Sequence, residues 1–588
     1  IADITISQAA ELEMAQGKLW LKFSLQQSRP YHLHLPLVLN FDNKKQQTKI
    51  LHFTREQQDF SIELSEAPVS AYLDPDYHLM RELNNMERVP DLAWLMGRKS
   101  VLLVVNEEEQ AIYHTLVKNL GIKNITTITP SAISFEQIQS HSLIIAGDNN
   151  SLIHRLFAKQ VRKNIKTDVE LQVRRNPYNE DEVITLVNAK DEKQAQLVAR
   201  KLSHYGKYSH LQFIDGRLQL KQVVSADNGI KLFEQIPVRA VKPSQTQSLD
   251  DIVASLEDKR VLLIGEQHDR FAHHLNQLQL IKKLTEAGYQ VAIGMEMFQQ
   301  PYQQALDDYL TGKITESEFL TKSKYFDKWR YDYNLYKAII DYALTQKLPL
   351  LALNIEADIT RQVTKKGLYD LDEKQRQQIP DALNFSDQSY REDLKSVFQI
   401  HDKMFHGLPM NFNYFLQSQV LWDESMAEAA HQFLQKHPQH ILVILAGNGH
   451  LRYRYGIPQR LERLSGLSPL VILQDDKLEE TIADYVLLTT PIKGQLTPVM
   501  GFYPDKNTDQ VIIDGVKDAT TAARAGLKKG DIITELDNKP LITFADLKLA
   551  LLYADTSKKV QIKVKRGDSI LEKSLDFSLP AAKSHENE

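Results

Sequence analysis

Four polar residues stand at or just beyond the ends of apolar runs: Glu266 and His268 after VLLIG (261–265), Glu296 closing VAIGME (291–296), and His450 in GNGH after ILVILAG (441–447). Imidazole and carboxylate are the side chains that hold divalent transition metals or move protons near neutral pH. Together these four offer mixed nitrogen and oxygen ligands suited to zinc, manganese, iron or cobalt, and less suited to calcium or copper(I). In a hydrolytic site of that kind Glu266, His268 and His450 would bind the ion, and Glu296 would be the general base that activates its water. Such a set needs neutral imidazole, so binding should weaken below about pH 6.5. A capping or core hydrogen-bonding role accounts equally well for any one of them. Four at separate run ends are more simply explained by one shared site.

A second chemistry is offered by KYFDKWRYDYNLYKAII (324–340). A phenolate can ligate ferric haem, which makes Tyr331, Tyr333 and Tyr336 candidates, and Arg330 could pair with a propionate. Aromatics filling a core beside an amphipathic helix are the competing account for each tyrosine. FQIHDKMFHGLPMNFNYF (398–415) adds His406 among Met and Phe, as an apolar cover over a planar ligand or as a Met-filled core.

What must position these residues is a parallel sheet. Apolar runs alternate with a helical segment in which Leu275, Leu278, Ile281 and Leu284 recur at helical spacing and Gly288 can close the helix. Strand, helix, strand implies covered sheet faces, and ligands then bind outside the carboxyl ends of the strands. If the chain stays extended past Gly265, Glu266 and His268 share a face. Gly447 and Gly449 allow close backbone approach beside His450. His273 and His274 are neighbours on the helix, so at least one is expected on its solvated side.

The chain has 588 residues, 42% hydrophobic and 25% charged, with a net charge of -5, which implies several globular domains and gives no sign of a nucleic-acid surface. There are no cysteines, which excludes disulfides, iron–sulfur clusters and thiolate ligands. The first residue is Ile1 with no leader-like segment, so a signal peptide or more is expected to have been removed. The expected fold class is multidomain α/β and β. A β-sandwich-like domain spans 1–95, a small α/β domain 97–245, a parallel-sheet α/β domain 249–475, and a fourth unit 480–580, with KPSQTQS (242–248) as a linker.

The motifs LLIGEQHD, GMEMF, DKWRYDYNLY, LPLLALN, LWDESMAEA and ILVILAGNGHLRYRYGIPQRL resemble the ChaN-like haem-binding proteins, within the wider group of Tiki, TraB and erythromycin esterase proteins, across most of 255–465. The resemblance implies an extracytoplasmic, membrane-associated protein of iron uptake that holds haem through tyrosine between two protomers, hence a homodimer. For the wider group it implies metal-dependent hydrolysis or proteolysis, with Glu266, His268, Glu296 and His450 matching the shared motifs. The absent lipidation cysteine departs from the ChaN pattern.

DATTAARAGLKKGDIITELDNKPL resembles a PDZ domain of the HtrA type. That implies a loop at Met500, Gly501 and Phe502 whose amides receive the C-terminus of a peptide or protein partner. AYLDPDYHLMRELNNMERVP weakly resembles the segment closing the β-sandwich of gluzincin aminopeptidases, although no H-E-x-x-H is present.

Overall fold

The computed structural model describes the chain except residues 1, 16–17, 42–44, 85–86, 158–166, 227, 235–241, 243–244, 257–258, 405–410, 506 and 579–588; for 399–404 the backbone alone is described. The residues form two compact units: Ile1–Thr246 with Val363–Leu371 and Asp381–Gln417, and Gln247–Gln362 with Asp372–Pro380 and Ser418–Glu588.

In the first unit, alternating apolar residues build two antiparallel sheets around one core. One sheet comprises Ile4–Ala15, Lys18–Gln27 and Gln57–Leu64; the other comprises Leu33–Asn40, Gln46–Phe53, Ser70–Leu73 and Ile230–Glu234. The last of these strands comes from far along the chain, beyond the segment whose pattern announced the sandwich. A seven-stranded mixed sheet follows, in the order Arg217–Gln222, His210–Ile214, Val169–Asn176, Asn179–Ala189, Ser142–Ala146, Ser100–Val104 and Asn124–Ile128.

The second unit carries a six-stranded sheet in the order Leu350–Asn354, Val291–Gln299, Ile441–Gly447, Val261–Glu266, Leu470–Gln474 and Tyr485–Leu487, with every pairing parallel. Its inner strands are mostly apolar because both faces are covered, with polar residues toward their carboxyl ends. Leu262, Ile264, Ile293, Val443 and Leu445 pack on one face, and their neighbours Val261, Leu263, Ala292, Leu442 and Ile444 on the other. Each of the Val, Leu and Ile side chains contributes about 2 kcal/mol by leaving water. The sheet continues past 475 by one short edge strand, Tyr485–Leu487, whose half-buried pattern carries little apolar signal.

The helix Phe271–Glu286 covers one face with Leu278, Leu280, Ile281 and Leu284, and the chain reverses at Gly288 with φ +87°. Between the helices Tyr325–Lys328 and Asn334–Gln346, Trp329 to Tyr333 form a non-helical link.

The C-terminal part of this unit pairs Phe502–Pro504 with Ile513–Val516, and Val560–Arg566 with Ile532–Leu536 and Ser569–Leu575. The helix Phe544–Leu552 starts at a capping box formed by Thr543 and Asp546. It rests on the parallel-sheet domain, where Leu549 and Leu552 join the same core as Phe326 and Tyr331. Tyr553 donates from its hydroxyl to Glu316 at 2.8 Å, and the Thr497 N–H donates to Asp332 at 2.7 Å. Among the described residues no helix is long and apolar enough to cross a membrane.

Candidate functional site

Glu266 ends its strand fully buried, which puts a carboxylate where the first turn of the following helix can reach it. Oε1 accepts from the Tyr336 hydroxyl at 3.0 Å and lies 2.8 Å from His268 Nδ1; Oε2 accepts from Gln277 Nε2 at 2.9 Å and lies 3.2 Å from His274 Nδ1. Burial alone would raise its pKa. The imidazoles of His274 and His268 outweigh burial and hold the carboxyl well below the usual range.

His268 is held by Nδ1, so its Nε2 points onward. Gly447 marks where it meets Glu296, since a Cβ there would lie 3.2 Å from His268 Nε2 and 3.7 Å from Glu296 Oε2. Glu296 Oε2 accepts the Gly447 N–H at 2.7 Å, and Oε1 lies 3.6 Å from His450 Nε2. His450 Nδ1 in turn lies 2.7 Å from Asp423 Oδ1. Burial disfavours the His450 cation, but Glu296 and Asp423 overcome it and raise its pKa to about 10. Burial likewise opposes the charge on Glu296, and His450 and His268 lower its pKa.

The four residues expected from the sequence therefore meet at the carboxyl ends of three adjacent strands. Two carboxylate–imidazole pairs, Glu266–His268 and Asp423–His450, face a third carboxylate, which is an arrangement for fixing tautomers and transferring protons. It differs from the expected ligand set in one respect. Both oxygens of Glu266 are taken by protein donors, so this residue orients His268 instead of facing a ligand. Among the described residues no group of three His, Asp or Glu is arranged around a common metal position.

Asp423 escaped the sequence reading. Its signal is a carboxylate on the apolar stripe of the helix Phe412–Lys436, among Val420, Leu421, Met426 and Ala427, where packing alone would place another hydrophobe.

The expectation for His273 and His274 is corrected: both are buried. The helix begins tucked against the strand ends, so His274 turns to Glu266, while His273 lies 2.9 Å from Asp475 and accepts the Gln267 N–H. Adjacent positions at a buried helix start can both find polar partners.

The three candidate tyrosines separate. Tyr333 is buried and donates to Glu316 at 3.1 Å; Tyr336 is buried and donates to Glu266. Burial and these carboxylates raise both phenols well above their ordinary pKa, and both hydroxyls are occupied within the protein. Tyr331, in the non-helical link, is half-buried, and its hydroxyl has no hydrogen-bond partner among the described residues. Its ring centroid lies 4.8 Å from that of His268 and 5.6 Å from that of Trp329. Arg330 is exposed, with its guanidinium 5.6 Å from the Tyr331 ring centre and no carboxylate partner among the described residues. His406 lies outside the described residues.

At the second candidate site, Gly501 has φ +86° and a Cβ would fall 2.3 Å from Thr520, so the loop requires glycine. The Met500 and Gly501 carbonyls are taken by Ala522 N–H and Lys517 N–H. Their own N–H groups have no acceptor among the described residues, as a carboxylate-binding loop needs.

Comparison with known proteins follows this division. Residues 252–461 match the family model described as haem-binding uptake, Tiki superfamily, ChaN, and residues 498–576 match the PDZ domain. The chain is similar to the solved structure "Cofacial heme binding to ChaN of Campylobacter jejuni", at 19% identity and TM-score 0.34, covering 42% of this chain and 94% of that one. It is similar to the HtrA3 PDZ domain bound to a phage-derived ligand at 20% identity and TM-score 0.12, covering 13% and 83%. An erythromycin esterase mutant in its open conformation is similar at 15% identity and TM-score 0.23, covering 44% and 83%. No curated protein matches. The chain thus holds a ChaN-type domain of the Tiki superfamily at 252–461 and a PDZ domain at 498–576.

Proposed function

We propose that this protein binds haem through Tyr331 of its ChaN-type domain, outside the cytoplasm, and engages the C-terminus of a partner through its PDZ domain. The observation that carries the haem reading is the Tyr331 hydroxyl, which has no partner among the described residues while Tyr325, Tyr333 and Tyr336 each donate to a protein acceptor. A free, half-exposed phenol fits ferric iron. Trp329 beside it offers an aromatic face, and Arg330 a cation for a propionate. Haem, when bound, supplies a ferric centre that accepts the phenolate; His268, held by Glu266, supports the ring from behind. Titrating the full chain with haemin tests this. A Soret shift that Tyr331→Phe abolishes and Tyr333→Phe keeps is expected, and a shift indifferent to Tyr331 would refute the assignment. Fractionation of the producing cells tests the location, where recovery in the cytoplasm would count against it.

A second reading is favoured by the two carboxylate–imidazole pairs facing Glu296. In a metal-dependent hydrolase His268 and His450 would hold the ion, and Glu296 would take a proton from its water. Elemental analysis of the untreated protein discriminates. A stoichiometric transition metal lost in His450→Ala supports hydrolysis, and its absence from the wild type removes this reading.

A further inference from the structure

A cavity of about 350 Å³ lies between the loop Val499 to Phe502, the helix Phe544–Leu552 and the link at Phe326 to Asp332. Its apolar wall includes Phe326, Tyr331, Val499, Phe502, Phe544 and Leu547. Met500 and Gly501, whose N–H groups have no acceptor among the described residues, line its PDZ side, and residues of the ChaN-type domain build part of it. The contact is fixed from both domains. Asp332 accepts from the Thr497 N–H at 2.7 Å and from the Asn334 N–H at 2.8 Å, and Tyr325 donates to the Tyr331 carbonyl at 3.2 Å.

Tyr331 therefore belongs to two sites. It lines the cavity, and its ring also packs 4.8 Å from His268. We propose that this cavity is a groove that takes a peptide C-terminus with an apolar last residue and acidic residues before it, and that this peptide and haem exclude one another through Tyr331. The occupant follows from the wall: amides for the carboxylate, aromatics for the last side chain, and Arg330 on the lining without a carboxylate of its own among the described residues. Exclusion follows from space. Haem held by the Tyr331 phenol would need room beside a side chain that has His268 4.8 Å from its ring and also walls the groove, so it would crowd a peptide seated there. Shifting the ring to admit haem would dismantle the peptide's wall. Linkage makes the antagonism mutual.

This inference rests on the haem reading for its second half only, and the test separates the two. The full chain is titrated with a short fluorescein-labelled peptide that carries acidic residues before a free C-terminal valine, followed by anisotropy. Tyr331→Ala should weaken the peptide by about tenfold, the loss expected for one aromatic contact. Tyr331→Phe keeps the ring against the peptide, so its peptide affinity should fall far less than that of Tyr331→Ala while haem uptake is lost. Arg330→Glu should weaken the acidic peptide and not one with neutral residues at those positions. Saturating peptide should raise the haemin midpoint of the wild type by roughly tenfold. Unchanged peptide affinity in Tyr331→Ala overturns the shared wall; an unmoved haemin midpoint overturns the exclusion. A wild type that takes up no haemin defeats the haem reading and the exclusion with it, and the anisotropy result alone then decides the wall.

Discussion

The Asp423 carboxylate lies 2.7 Å from His450 Nδ1, and the far nitrogen of the same ring lies 3.6 Å from Glu296. An imidazole between two buried carboxylates is a proton held by the fold. Its pKa rises to about 10 from an ordinary 6.5, so the folded chain binds this proton more tightly than the unfolded chain. The stabilisation is fully present below pH 6.5 and is lost as pH rises through 10. Urea unfolding of wild type and His450→Gln across that range should show a stability gap that is widest at the acid end and narrows toward the alkaline end. A gap independent of pH would show that the proton is not the source.

The tyrosines can be told apart by stability. Tyr336→Phe removes a donor from the buried Glu266 carboxylate and should cost about 2 kcal/mol, read as a lower denaturant midpoint, with haemin uptake retained. Tyr331→Phe removes a hydroxyl with no partner among the described residues, so stability should hold within about 0.5 kcal/mol while the Soret shift disappears.

Gly447→Ala isolates crowding from backbone strain, because φ at Gly447 is -59° and suits any residue. The new methyl would stand 3.1 Å from His268 Cε1 and must displace that ring. We expect ligand affinity at this site to fall by about tenfold, with roughly 1 kcal/mol lost in stability. Gly449→Ala is the control: nothing lies within 4 Å of a Cβ there, so affinity and stability should match the wild type.

Gly501→Ala should act on the other side of the shared wall. Both the φ of +86° and the approach of Thr520 to 2.3 Å oppose a Cβ, so the carboxylate loop must distort. Peptide binding measured by anisotropy should fall by at least about tenfold, with haemin uptake unchanged.

Much of the site was legible in the chain itself. Glu266, His268, Glu296 and His450 each stand near the end of an apolar run, and the alternation of such runs with a helical segment implies a parallel sheet whose strand ends converge. The PDZ domain was equally plain, because a long, specific motif marks it. These features are local: strand periodicity, helix spacing and the need for glycine at positive φ are properties of short segments.

Roles within the site were not local. Whether Glu266 faces a ligand or a histidine depends on Tyr336 and Gln277, which arrive from two different helices. Asp423 matters because the helix Phe412–Lys436 turns it toward His450, and its neighbours in sequence give it only the look of a misplaced core residue. Three tyrosines within six positions are equivalent as letters, and burial together with hydrogen-bond partners divides them. Residue types, spacing and the strand ends were determined by the sequence. Which carboxylate holds which imidazole, and that Tyr331 borders both His268 and a cavity lined by the PDZ domain, were decided by tertiary packing, because such contacts exist only once distant segments have been brought within a few ångströms of one another.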